Sequence, residues 1–138
     1  MRITILILPL LLAACSSEPA TPTLATGSFT GEGRNRLCIE GSGDAMRAGL
    51  IVYSDGNSNC SASGRLSRSG EQWALVPKGE SDDGCRIAID IAGGGATVGQ
   101  LPPNCAYYCG AGASMSGAKF RLDRPADPAT DLAGDPLC

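Results

Sequence analysis

Cys85-Arg86-Ile87-Ala88-Ile89-Asp90-Ile91 alternates without a break. Cys85, Ile87, Ile89 and Ile91 fall on one face, and Arg86, Ala88 and Asp90 on the other. A period of two is the signature of a strand with one buried face. Gly93-Gly94-Gly95 follows, and Ala96-Thr97-Val98-Gly99-Gln100-Leu101 resumes the apolar pattern. Glycines supply the positive φ angles of a tight turn, so the whole stretch predicts a β-hairpin.

The same grammar extends in both directions. Ala48 to Tyr53 and Cys60 to Leu66 read as strands around the polar turn Ser54-Asp55-Gly56-Asn57-Ser58-Asn59. Glu71 to Val76 follows the turn Arg68-Ser69-Gly70. Phe29 and Leu37-Cys38-Ile39 mark two weaker strands, and Ala118 to Leu122 a last one. No segment after residue 15 carries a helical stripe. Turns at this spacing predict an all-β domain, a small antiparallel sandwich or barrel of about six to eight short strands.

The first residues obey a different rule. Met1-Arg2 gives a positive start, Ile3 to Leu12 is mostly apolar, and Leu12-Ala13-Ala14-Cys15 closes the run. The run is shorter than the roughly 20 residues that span a bilayer. It reads as a secretory signal. Leu12-Ala13-Ala14-Cys15 resembles the lipobox of bacterial lipoproteins. That resemblance implies cleavage after residue 14, a lipid on Cys15 and the membrane as partner. Ser16 stands where an aspartate would imply retention in an inner membrane. The implied location is therefore a Gram-negative outer membrane, facing the periplasm. The expected organisation is a signal peptide at 1–14, a lipidated start and flexible tether at 15–26, a β domain at 27–122 and an irregular tail at 123–138. Three prolines and four aspartates after Leu122 oppose regular structure there.

Seven cysteines are present. Setting Cys15 aside leaves Cys38, Cys60, Cys85, Cys105, Cys109 and Cys138. An even set in an exported chain predicts a disulfide-stabilised fold, with the pairing open. Cys138 is expected to tie the tail to the domain or to pair with another chain. A metal site is not expected, because the chain has no histidine and Cys105 and Cys109 lack knuckle spacing.

The remaining candidates for chemistry give no site. Asp55-Gly56-Asn57-Ser58-Asn59 starts like a calcium loop, but Cys60 and Leu66 occupy the turn glycine and the last ligand position. Without histidine, neither a Ser-His nor a Cys-His nucleophile can form. Paired carboxylates, as in an envelope hydrolase, remain formally open, but the spacing of the acidic residues selects none. The glycine runs lack the Lys-Ser/Thr of a phosphate loop. A net charge of −3 without a basic patch argues against nucleic acid. No catalytic, cofactor or metal residue is therefore expected. The expected function is a non-catalytic domain that binds an envelope protein or glycan.

Asn104-Cys105-Ala106-Tyr107-Tyr108-Cys109-Gly110 stands out within the domain. Two aromatics lie between two cysteines. One reading is a cross-linked corner with one tyrosine packed inward. The other is a rigid contact surface built on Tyr107 and Tyr108, since tyrosine is enriched at binding hot spots.

One further resemblance bears on function. Ser69-Gly70-Glu71-Gln72-Trp73 followed by Lys78-Gly79 is similar to the paired elements of MliC-type lysozyme inhibitors, as is Ser116-Gly117-Ala118-Lys119-Phe120. The aromatic here is Trp or Phe where the family has Tyr. The resemblance implies a β-barrel lipoprotein whose Lys-Gly element enters the cleft of a c-type lysozyme.

Overall fold

A computed structural model describes residues 24–124 and 127–138. Cys15, the signal segment and most of the tether lie outside the described residues. The fold is an antiparallel eight-stranded closed barrel in simple chain order. Its strands are β1 (Gly27–Gly31), β2 (Arg36–Glu40), β3 (Arg47–Tyr53), β4 (Asn59–Ser69), β5 (Gln72–Pro77), β6 (Ile87–Ala92), β7 (Gly95–Val98) and β8 (Lys119–Leu122). β1 and β8 pair through Phe29–Leu122, Thr30–Arg121 and Gly31–Phe120 and close the ring. Among the described residues closure leaves no strand edge unpaired, the exposed feature that makes open sheets aggregate. At the seam, a Cβ on Gly31 would lie 2.9 Å from the Lys119 carbonyl oxygen. Only glycine lets β1 approach β8 this closely.

The predicted hairpin is present as β6 and β7. Gly93 and Gly94 carry φ values of 58° and 77°, and Ala92 pairs with Gly95. Two positive φ angles at a two-residue turn match the twist of the flanking strands. Strand limits differ from the alternation at both ends. Cys85 and Arg86 precede β6, because Cys85 is held in a loop cross-link. β7 ends at Val98, where the chain turns toward Pro102-Pro103.

Interior positions are filled by Phe29, Leu37, Ile39, Leu50, Leu75, Ile87, Ile89, Val98 and Phe120, each nearly or fully inaccessible. Burying one such side chain contributes about 1.5–3 kcal/mol. An eight-stranded ring is just wide enough for side chains to fill it. This barrel is a packed core, and its polar side chains face outward.

Three disulfides tie the tail to β2 and the long β7–β8 connection to β4 and to the loop before β6: Cys38–Cys138, Cys60–Cys109 and Cys85–Cys105. Among the described residues the tail keeps its irregular character, with a single isolated bridge between Thr130 and Pro136. It is nonetheless packed. Ala129 and Leu137 form a small second core with Cys38 and Ile51 on the outer face of β2 and β3. The Asp131 carboxylate accepts bonds from the backbone N–H groups of Ala133 and Asp135 and shapes the tail's turn.

Candidate functional site

Alternate connections gather at opposite ends of the meander. One end holds the β2–β3 loop, the Gly70-Glu71 and Gly93-Gly94 turns, and the entry of the chain into β1. Leu24 and Ala25, assigned to the tether by composition, pack against the core there and line a hollow with Trp73, Ile91 and Arg68. The guanidinium of Arg68 lies 5.5 Å from the Trp73 ring. Any anchor preceding residue 24 therefore joins the barrel at this end.

The opposite end is closed by the long β7–β8 connection, residues 99–118, called the cap loop below. Met115 is fully buried and plugs the barrel mouth. Cys109 is linked to Cys60 at the start of β4, and Cys105 to Cys85 ahead of β6. Polar contacts seal the rim. The Ser58 hydroxyl donates to the Ala111 carbonyl at 2.8 Å, Gly110 N–H donates to the Asn59 carbonyl, and Asn104 donates to the Gly84 carbonyl.

Around Cys105 the cap loop makes a 3-10 turn, Pro103–Tyr108, that ends just before Cys109. Proline at the first position suits such a turn, because that N–H would have no partner. The turn splits its aromatics. Tyr108 leans inward, and its hydroxyl donates to Glu80 Oε1 at 2.9 Å. Tyr107 is 90% exposed, the most exposed of the large hydrophobic residues described. The two rings meet edge to face with centroids 5.4 Å apart. One tyrosine is packed at the cross-linked corner, and the other projects from it.

Burial first, and then the bond to Glu80, push the Tyr108 hydroxyl up to about 12. Its folded value thus exceeds its unfolded value of about 10. Stability from this neutral phenol is complete below pH ~10 and is lost as pH rises through about 12. Tyr108→Phe is expected to flatten that alkaline loss while leaving stability at pH 7 reduced. Thermal melts of both proteins across this pH range provide the check.

Other sequence candidates fall into place. Asp55 to Asn57 form an exposed turn. Among the described residues, no group of three His, Cys, Asp or Glu side chains is arranged to hold a metal. Ser69-Gly70 and Lys78-Gly79 flank β5 and so sit at opposite ends of the barrel. Ser116-Gly117, in the cap loop, shares its end with Lys78-Gly79. Asp82 links β4 to the β5–β6 loop through an ion pair with Arg65, and Arg86 lies 3.7 Å away. The Arg65 bond, then its charge, hold the Asp82 carboxyl below its usual range.

The cationic hollow beside this pair leaves no local signal in the sequence. Arg47, Arg65 and Lys78 are far apart in the chain, and only strand pairing brings them together. No family model matches the chain, and the searches of curated proteins and of solved structures returned no match.

Proposed function

We propose that the chain is a lipid-anchored envelope protein whose barrel presents a rigid tyrosine to another envelope component. It acts by binding, without catalysis. The observation that carries this reading is Tyr107. Tyrosine joins a large, rigid ring to a polar hydroxyl and is enriched at binding hot spots, and here it stands 90% exposed. Here the cysteines two residues to either side are both cross-linked. Its backbone is therefore already ordered, and a partner that covers it loses little conformational entropy in doing so. Position supports the same reading. The proposed lipid on Cys15 leads to the end marked by Leu24, while Tyr107 lies at the other end. A barrel tethered in this way points its cap loop away from its own membrane.

Affinity capture from envelope extract tests the proposal. The wild-type chain is expected to retain a partner. Tyr107→Ser is expected to weaken capture about 30-fold, the loss expected for a hot spot of about 2 kcal/mol. Tyr107 is exposed, so thermal stability should be unchanged. Equal capture by both chains would contradict the assignment.

A further inference from the structure

We infer that the hollow between β3, β4 and the start of the β5–β6 loop is a binding site for a phosphate group. It occupies about 420 Å³ and is lined by Arg47, Ser63, Gly64, Arg65, Lys78 and Glu80, among others.

The site arises where β4 parts from β5. β4 pairs with β3 along Asn59 to Arg65 and with β5 only from Gly64 onward. At this fork β5 ends at Pro77, and the chain swings outward through Lys78 and Gly79. A Cβ on Gly64 would lie 2.1 Å from the Val76 carbonyl oxygen. The floor is bare backbone, and the cations stand around it.

The placement of charge is the main argument. Arg47 and Arg65 are direct cross-strand partners on the outer face. Like charges directly opposite one another destabilise a sheet. Asp82 relieves Arg65 only in part, because it also serves Arg86. Glu40 faces Arg47 from β2, yet among the described residues no ion pair joins them. The remaining acid, Glu80, is engaged elsewhere. One carboxylate oxygen accepts from Tyr108, and the other accepts from Cys85 N–H at 3.4 Å. Two guanidinium forks, an ammonium and the Ser63 hydroxyl thus line a hollow with one carboxylate, Glu80, which is held by Tyr108 and Cys85 N–H, so cationic charge is in excess. Paired guanidinium forks suit the several oxygens of a phosphate dianion better than a single carboxylate. The phosphate could belong to a soluble ester or to a lipid headgroup.

The full chain, reconstituted in phosphatidylcholine vesicles, is dialysed to equilibrium against radiolabelled inorganic phosphate, with chloride holding ionic strength constant. Saturable retention is expected. Arg47→Gln combined with Lys78→Gln is expected to weaken it about tenfold or more. Arg121→Gln, on the far side of the barrel, is expected to leave it unchanged. Both variants alter exposed side chains, and removing Arg47 from opposite Arg65 should preserve or raise the melting temperature. A minor fraction of phosphatidic acid in the vesicles then separates the sources. Reduced phosphate retention assigns the site to a headgroup, and unchanged retention assigns it to a soluble ester. No saturable retention by the wild-type chain, or equal retention by the Arg47/Lys78 variant, would overturn the inference. The Tyr107 capture experiment reads a different surface, so either result can fail without the other.

Discussion

A chain in which Cys60 and Cys109 are both replaced by Ala is expected to lose about 2–5 kcal/mol of unfolding free energy. The bond joins positions 49 residues apart, and Cys60 is fully buried in the barrel core. Its loss lengthens the unfolded chain's accessible loops and also removes two sulfur atoms from packed surroundings. The structural consequence should be local. The cap loop would still be held by Cys85–Cys105 at one side, by Gly110 N–H on the Asn59 carbonyl, and by Ser58 on Ala111. Urea unfolding should show a lower midpoint. Hydrogen exchange should accelerate most in residues 99–118, because regions with fewer constraints open at lower free energy. Uniform acceleration across all eight strands would mean that the bond holds the barrel as a whole rather than its cap.

Gly49→Val is the second large effect, and its size depends on the tail. A Cβ at Gly49 would lie 2.4 Å from the Leu137 carbonyl oxygen and 2.6 Å from its Cβ. In the native chain the tail is pinned there by Cys38–Cys138, so it cannot simply move aside. Overpacking of this kind costs about 1–3 kcal/mol. In a chain lacking that disulfide, with Cys38→Ala and Cys138→Ala, the tail can lift. Valine then becomes a better strand residue than glycine in the middle of β3. The substitution should cost much less in that background, leaving a coupling of about 1 kcal/mol or more between the two sites. Equal costs in both backgrounds would show that Gly49 is required by β3 itself. The four stabilities come from one urea series.

These two cases show what could be read from the chain. Alternation along Cys85 to Ile91 identifies a strand because a buried face needs an apolar side chain at every second position. The glycine pair after it identifies a turn because few other residues adopt positive φ. Both signals are local. Closure of the ring depends on Gly31 letting β1 approach β8, and nothing near Gly31 in sequence distinguishes it from the other glycines. Disulfide partners had the same problem. Six cysteines announced cross-links, but only the fold brings Cys38 to Cys138 across 100 residues. The tail was legible as irregular, and Cys138 announced a tie to the domain, but the seat left by the missing side chain of Gly49 was not legible. Tyr107 and Tyr108 were legible as a pair, but their division into an anchor and a projecting ring required the 3-10 turn and the carboxylate of Glu80.

The cationic hollow shows the same limit from the other side. Arg47, Arg65 and Lys78 look like singly scattered charges along the chain. The register that sets Arg47 opposite Arg65 turns them into a cluster. A closed barrel with a filled interior leaves its function to such surfaces. The two that stand out are the cap loop with Tyr107 and the hollow beside it, which share Glu80 as a common wall.

The proposed function requires Tyr107 to meet a partner at the end of the barrel remote from the proposed anchor. A photo-reactive phenylalanine analogue placed at position 107 in the living host measures this directly, with the same analogue at Glu71 marking the other end. Irradiation should give a discrete adduct from position 107, recovered repeatedly and absent from position 71. No adduct at position 107, or the same adduct from both positions, would contradict it.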